Sequence, residues 1–428
     1  MTQMTQMTQT NQKTYACKNS GAPTLVDLFS GAGGTGIGFI KAGFRILGAV
    51  EIDRHAAETY EKNLGVKVKI SDIRDFSPKK FRKELKLRRG ELDVLVGCPP
   101  CQGFSRMRNG NGADDERNDL VMSYLEFVRE LMPRFAVFEN VPGLLRTKHG
   151  RKFYDQLYKG LKDLGYNVKQ YEVDAADFGT PQHRKRVIVI AGRHGEEPPS
   201  LEKKHGNPNS KEVREGKLKP WVTVRDAIGK FPAVEAGENA EEGNKYPNHI
   251  APAMGKKVRE FIRQVPKDGG SRTDVSKELW LKCHKKHSGH VDVYGRVAWD
   301  RPSNTLTCGC TNVSKGRFVH PEQDRALTYR EAAALQGFDL TVVFYGASFH
   351  NQIGNAVPPT LAFAIAQTLK KQIVGQKPRR KRYSKRVTGR ARSAVRPDDR
   401  SNVKSPAVFR RRGRPRRTTE RVIIPKAA

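Results

Sequence analysis

Between residues 24 and 192, short apolar runs alternate with helix-period segments about six times, and most of the runs end on a glycine turn or a polar residue. Apolar runs this short read as buried strands. Strands that alternate with helices argue a doubly wound α/β sheet, a fold that binds ligands at the carboxyl ends of its strands. The first run, residues 24–29, opens into Ser30-Gly31-Ala32-Gly33-Gly34-Thr35-Gly36, and a short helix follows to Gly43. Residues 45–50 end in Glu51, and the third run, 66–70, leads to Asp72. Residues 92–96 lead into Gly97-Cys98-Pro99-Pro100-Cys101, and 135–138 into Glu139-Asn140-Val141. Two more strands, 166–174 and 186–191, flank Gly179-Thr180-Pro181-Gln182-His183-Arg184-Lys185-Arg186. Helices are predicted over 53–63, 78–88, 119–132 and 151–164.

Two of these strand ends carry chemistry. Gly31, Gly33 and Gly36 fit a GxGxxG pattern, and Glu51 lies 20 residues beyond the first of them. Glycines let the backbone approach a ligand, and a carboxylate at that distance can accept ribose hydroxyls. The pattern points to an adenosine-containing cofactor without separating NAD from others. At the other end, Pro99 and Pro100 cannot donate to a sheet ladder and disfavour helix, so Cys101 leaves the core strand rigidly held. A thiol so placed suits a nucleophile. Cys98, one turn of chain earlier, reads as a core residue.

The net charge of +34 calls for a polyanionic partner, and nucleic acid is the first candidate. Residues 371–428 hold 21 Lys and Arg against three acidic residues, about half of that excess, so the remainder is basic too. Six cysteines in 428 residues do not make a disulfide scaffold, and a reducing, cytoplasmic setting is expected. No apolar run approaches the roughly 18 residues of a membrane span. Three copies of Met-Thr-Gln open the chain and read as a disordered leader, residues 1–22. The expected organisation continues with an α/β domain at 23–192 and a linker with a smaller, irregular domain at 193–300. Residues 301–374 return to the first domain, and 375–428 form a basic tail. Cys283, His284, His287, Cys308 and Cys310 lack a clean second ligand pair for the Cys98–Cys101 spacing, and no metal site is expected.

Taken in order, the motifs resemble the bacterial DNA (cytosine-5)-methyltransferase family, of the kind found in restriction-modification systems. The resemblance covers residues 24–370. It rests on Asp27-Leu28-Phe29-Ser30-Gly31-Ala32-Gly33-Gly34, Pro99-Pro100-Cys101-Gln102, Glu139-Asn140-Val141, Gln182-His183-Arg184-Lys185-Arg186, Arg301-Pro302-Ser303-Asn304-Thr305 and Gly354-Asn355-Ala356-Val357. It implies a Rossmann-like, S-adenosylmethionine-dependent sheet with a target recognition domain. By that resemblance Cys101 is the nucleophile at carbon 6 of cytosine, Glu139 the carboxyl at N3, and Arg184 and Arg186 the donors near O2. Phe29, Gly31, Gly33, Gly34, Glu51, Asp72, Ile73, Pro100, Asn355 and Val357 would surround S-adenosylmethionine. Ile52 stands where the family often has an aromatic residue.

A target paired inside a duplex must be flipped out, at a cost of a few kcal/mol. The stretch 102–117 is the expected lid over it, and residues 221–300 the expected reader of the double-stranded DNA sequence. Arg412-Gly413-Arg414-Pro415-Arg416 resembles an AT-hook, and a nonspecific basic tail is the other reading. The resemblance also implies a monomer associated with the bacterial nucleoid and, as functional partner, a cognate restriction endonuclease. The nearest rival is a tRNA cytosine-5 methyltransferase of the same fold. A NAD(P)-dependent oxidoreductase accounts for the glycines and leaves Cys101, Glu139 and the charge without a role.

Overall fold

The computed structural model describes residues 21–100, 119–241, 245–280, 282–285 and 290–375. Cys101, the expected lid, the first 20 residues and the basic tail with its AT-hook-like segment lie outside them.

One seven-stranded sheet organises the described chain. Its strands are β1 (Thr24–Leu28), β2 (Arg45–Glu51), β3 (Val68–Ile70), β4 (Val94–Gly97), β5 (Phe135–Asn140), β6 (Tyr166–Asp174) and β7 (Lys185–Arg193), in the order β3-β2-β1-β4-β5-β7-β6. Strands β1 to β5 run parallel to their neighbours, whereas β7 runs antiparallel to both β5 and β6. The order reverses between β1 and β4, which opens a crevice at their carboxyl ends. The antiparallel strand changes one inference. The chain enters β7 at the edge where β5 ends, so the start of β7 and the end of β5 share the crevice side.

Helices cover both faces, as a doubly wound sheet requires. On one side lie α1 (Gly34–Lys41) and α2 (Arg54–Leu64). On the other lie α3 (Pro78–Glu84), α4 (Asp119–Leu131), the short α5 (Gly143–Arg146) and α6 (Lys148–Asp163). Alternate residues of β5 and β7 serve the two sides. Phe135, Val137, Ile188 and Ile190 join Ile37, Phe39, Tyr60 and Leu64, whereas Ala136, Phe138, Val187 and Val189 join Phe81, Tyr124, Phe127 and Leu157. Each large apolar side chain buried this way contributes roughly 1.5–3 kcal/mol relative to its exposed state. Local signals set the helix ends. Asp53 caps α2 by accepting from the amides of His55 and Ala56, and Gly65 ends it with φ +66°. Ser77 caps α3 just before Pro78.

The remaining helices are α7 (Lys211–Arg214), α8 (Val224–Ile228), α9 (Lys256–Gln264), α10 (Lys282–Lys285), α11 (Tyr329–Leu335), α12 (Phe349–Asn355) and α13 (Pro359–Gly375). The last of these returns to the sheet and packs against α1. A Cβ on Gly38 would stand 2.6 Å from Ala362 Cβ and from Pro359 O, and one on Gly36 would stand 2.7 Å from the Tyr60 hydroxyl of α2. The third glycine of the GxGxxG pattern therefore lets two helices approach.

Between α8 and α11 the chain is irregular, and a small apolar cluster of Phe261, Ile262, Val265, Val293, Tyr294 and Val319 forms there. Much of its order comes from buried arginines. Arg296 donates to the carbonyls of Ile262, Val265, His320 and Gln323, and Arg330 to those of Pro247, Asp339 and Val342. Arg325 is bidentate to Glu331, whose carboxyl is held down to about 2 against its burial by that partner. Burial pushes neighbouring His320 down to about 4, so this cluster carries a neutral imidazole. Among the described residues no helix is long and apolar enough to cross a membrane.

Candidate active site

The glycine-rich turn after β1 is built around an unusual backbone. Phe29, Gly31 and Gly33 all have positive φ (56°, 53° and 98°), so three of five consecutive residues are left-handed. Gly31 and Gly33 take this conformation at no steric cost, whereas Phe29 holds it against its Cβ. A Cβ built on Gly31 would meet nothing within 4 Å, so open space lies beside that backbone. The hydroxyl of Ser30, in the middle of the turn, is buried without a hydrogen-bond partner.

Glu51 ends β2 and ties this turn down. One carboxylate oxygen accepts from the Gly31 amide at 2.7 Å, and the other accepts from the amides of Ile52 and Asp53 at 2.9 Å each. Burial pushes its carboxyl above the usual range, against the pull of those three backbone donors. A carboxylate has about four acceptor sites, so with three taken one remains for a ligand. Ile52 next to it is 62% exposed, and Ile70 at the end of β3 is 53% exposed, an apolar pair at the rim.

Beyond β3, Asp72 lies two residues past the strand. Its carboxyl is bidentate to Arg74, whose guanidinium holds it below the usual carboxylate range. Ile73 is buried in the core beside Val50 and Phe81, so its backbone, not its side chain, is what it can present. The C-terminal segment closes the turn from above. A Cβ on Gly34 would lie 2.1 Å from Val357 O, which leaves room only for glycine. Asn355 is exposed and accepts from the Cys308 thiol at 2.8 Å.

The second half of the site sits across the crevice. Glu139 near the end of β5 and Arg186 near the start of β7 are diagonal cross-strand neighbours, since Glu139 pairs with Ile188. Arg186 Nε lies 2.8 Å from Glu139 Oε1, and both side chains are about 90% buried. Asn140, the next residue, donates through Nδ2 to the Pro99 carbonyl at 3.2 Å, while its Oδ1 accepts from the Val141 amide. Asn140 thus pins the Pro99-Pro100 segment, and with it the entry to Cys101, to the end of β5. Pro99 is buried and Pro100 exposed. Sequence reading quoted Asn140 within a motif without a role; only the pairing of the two strand ends gives it one.

Cys98 lies beneath, its sulfur 3.8 Å from the Thr35 hydroxyl. Its thiol is pushed well above the ordinary value, by burial first and then by the nearby charges of Glu139 and Asp27. At neutral pH it stays a thiol and is no nucleophile.

Arg184 is placed elsewhere. It is 3% exposed, and its guanidinium donates to the carbonyls of Leu306 and Gly354 at 2.7 Å each and of Ala356 at 3.3 Å. Its two terminal nitrogens tie the returning C-terminal segment to β7 through these backbone carbonyls. Around it, Gln182 bonds to Gln336 and accepts from the Leu306 amide, and Ser303 pairs with the chain at Pro181 and His183. The motifs at 182–186, 301–305 and 354–357 therefore form one buried joint.

A family model for C-5 cytosine-specific DNA methylases matches residues 24–371. The chain belongs to that family. Among curated proteins, the Type II methyltransferase M1.HphI of Haemophilus parahaemolyticus is 39% identical over 354 residues, 81% of this chain and 87% of that one. The Type II methylase M.HgiDII of Herpetosiphon aurantiacus is 32% identical over 82% of this chain and 96% of its own. Among solved structures, a protein described as a prophage-encoded DNA modification methyltransferase of E. coli has a TM-score of 0.62 at 24% identity, over 83% of this chain and all of that one. The S. pombe Dnmt2 methyltransferase has 0.52 at 18%, over 83% of this chain and all of that one, a likeness of fold. The enzyme is a DNA cytosine-5 methyltransferase on a Rossmann-like sheet.

For this methylase, Asn140→Ala is expected to lower turnover about 10- to 100-fold through the displaced Pro99-Pro100 segment. The cost in stability should be about 1–2 kcal/mol for the lost buried bond. Single-turnover rates and thermal melts together check it. A loss of stability with full turnover would leave Asn140 a structural residue.

Proposed function

We propose that the enzyme uses S-adenosylmethionine to methylate carbon 5 of a cytosine turned out of a specific duplex DNA sequence. Cys101 is the nucleophile in this reading, Glu139 the carboxyl at N3, and Arg186 the donor at O2. The observation that carries it is the Glu139–Arg186 pair at the crevice edge, beside a Pro99-Pro100 segment that Asn140 pins. S-adenosylmethionine supplies an electrophilic methyl group on a sulfonium. The residues fit such a molecule: Phe29, Gly31, Gly33 and Gly34 with the unpartnered Ser30 hydroxyl, the remaining Glu51 lone pair, Asp72 with the backbone of Ile73, and Pro100, Asn355 and Val357 at the rim.

Carbon 5 of cytosine is a poor nucleophile. Addition of the Cys101 thiolate to carbon 6 pushes electrons toward N3 and O2 and makes carbon 5 enamine-like. Glu139 shares a proton with N3 as that charge grows, and Arg186 donates to O2. After carbon 5 has taken the methyl, its proton leaves to base. The electrons return, the carbon 6–sulfur bond breaks, and the thiolate is expelled.

Residues 193–300, a linker followed by 221–300, are assigned to target recognition between the catalytic segments 23–192 and 301–374. The 375–428 tail adds nonspecific DNA affinity. The Type II names of the relatives support a role as modification partner of a restriction endonuclease. A monomer in bacterial cytoplasm, at the nucleoid, belongs to the same proposal. Transfer of labelled methyl from S-adenosylmethionine to duplex DNA and to tRNA is the test. Incorporation into DNA at one bisulfite-mapped sequence is expected, and incorporation into tRNA alone would overturn the reading.

A further inference from the structure

We propose that Asp27 is a proton-linked sensor of cofactor charge, carrying a proton in the free enzyme on the acid side of neutrality and losing it when the sulfonium-bearing cofactor binds. The inference rests on the S-adenosylmethionine reading above and adds to it a group that no step of the reaction uses.

Asp27 lies in the middle of the sheet, paired with Ala49 of β2 and Val96 of β4, and is 1% exposed. A carboxylate buried for structure alone has its oxygens bonded or a cation beside it. Asp27 has neither in full measure. Oδ2 accepts from the Tyr60 hydroxyl of α2 at 3.2 Å, and Oδ1 is buried with no hydrogen-bond partner. Among the described residues no Lys, Arg or His forms an ion pair with it.

The groups facing it supply no cation, and of them only Glu51 can carry negative charge. They are Glu51 at the end of β2, the Tyr60 hydroxyl, and the Cys98 thiol after β4, which also feels Glu139 of β5 and Arg186 of β7. Arg186 is engaged by Glu139. Burial first, and then Glu51, push the Asp27 carboxyl up to about 7, with the Tyr60 bond pulling the other way. Asp27 is two residues before Phe29 and four before Gly31, so four residues of chain at most, under about 14 Å, separate it from the turn that would hold the methionine moiety. In a water-excluded interior, charges at such distances are little screened. A cation above that turn favours the ionised carboxylate, so binding expels the proton. The neutral-sulfur product, S-adenosylhomocysteine, gives less reason to ionise, and the same group then favours release of product.

The sign follows from linkage. A carboxyl that must ionise for tight binding weakens affinity as pH falls through its free-enzyme value. Between pH 7.5 and pH 6, below the range of about 7.7–8.0 where an α-amino group titrates, the Kd for S-adenosylmethionine should rise about eightfold. The Kd for S-adenosylhomocysteine should rise much less.

The test is calorimetric titration of the full-length enzyme with each ligand at pH 6.5, in two buffers of different ionisation enthalpy. About three-quarters of a proton should leave with S-adenosylmethionine, and none of that excess in Asp27→Asn. Binding without proton release in the wild type would overturn the inference and leave the cofactor reading standing. Release that persists in Asp27→Asn would move it to Glu51 and overturn it as well. No binding of either ligand would sink the cofactor reading itself. Tyr60→Phe guards against an unfolded Asp27→Asn. Loss of its hydroxyl should move the midpoint of the affinity profile to higher pH, and an unmoved midpoint contradicts the proposal.

Discussion

Arg184→Ala and Arg186→Ala, two residues apart in one motif, are expected to part in the chemical step. Arg184→Ala should cost about 3 kcal/mol of stability or more, since three buried carbonyls lose a charged donor at about 1–3 kcal/mol each. That corresponds to a drop of roughly 5–10 °C in melting temperature. Such activity as survives at low temperature should show a near-normal chemical step. Arg186→Ala removes the buried ion pair with Glu139 and a bond to the Lys185 carbonyl, so it too should lose about 3 kcal/mol. Its single-turnover rate should fall about 100-fold or more, the usual loss when one donor to a developing anion is removed. Thermal melts with pre-steady-state methyl transfer on both variants decide the matter. Equal chemical rates in the two would show that the two side chains share one role.

Cys101→Ser has the largest expected effect on chemistry. A serine hydroxyl is far less ionised and less nucleophilic than a thiol, so transfer should fall to background, about 1,000-fold or more. DNA affinity should be retained, because the basic surface is untouched. DNA carrying 5-fluorocytosine should trap a covalent adduct with the wild type, since fluorine cannot leave as the proton does. Peptide mapping should place that adduct on Cys101. An adduct on Cys98 would contradict both the assignment and the high pKa of that buried thiol.

Strand identity was legible because the buried runs are short and apolar and end on the polar groups that the crevice needs. Glu51, the Gly31–Gly33 turn and Glu139 stand at strand ends as their patterns imply. Strand direction was not legible. Residues 187–191 are apolar on both faces, and such a run carries no record of whether its neighbour runs with it or against it. In the motif at 354–357, Asn355 closes helix α12 (Phe349–Asn355), and Ala356 takes an extended conformation before α13.

The deeper failure concerns arginine. Composition assigns a guanidinium to the surface or to an anionic partner, and the motif offers Arg184 and Arg186 as equals. Arg184, Arg296, Arg325 and Arg330 are all 3% exposed or less and hold carbonyls that no strand or helix satisfies. An irregular region has more unpaired backbone than a regular one, and a five-donor side chain is an economical way to satisfy it. Nothing in the local pattern separates such an arginine from one that meets DNA.

In the proposed reaction, the diagonal placement of Glu139 and Arg186 makes the alignment of two strands part of the chemistry. Side chains alternate faces along a strand, so a slip of β7 by one residue would turn Arg186 to the opposite side of the sheet and bring Val187 toward Glu139. A single-residue insertion between Arg186 and Ile188 is therefore a frameshift in three dimensions: it would silence the enzyme while leaving Glu139 and Arg186 in the sequence. The β5–β7 alignment is thus a place where a gap in the chain should not be tolerated.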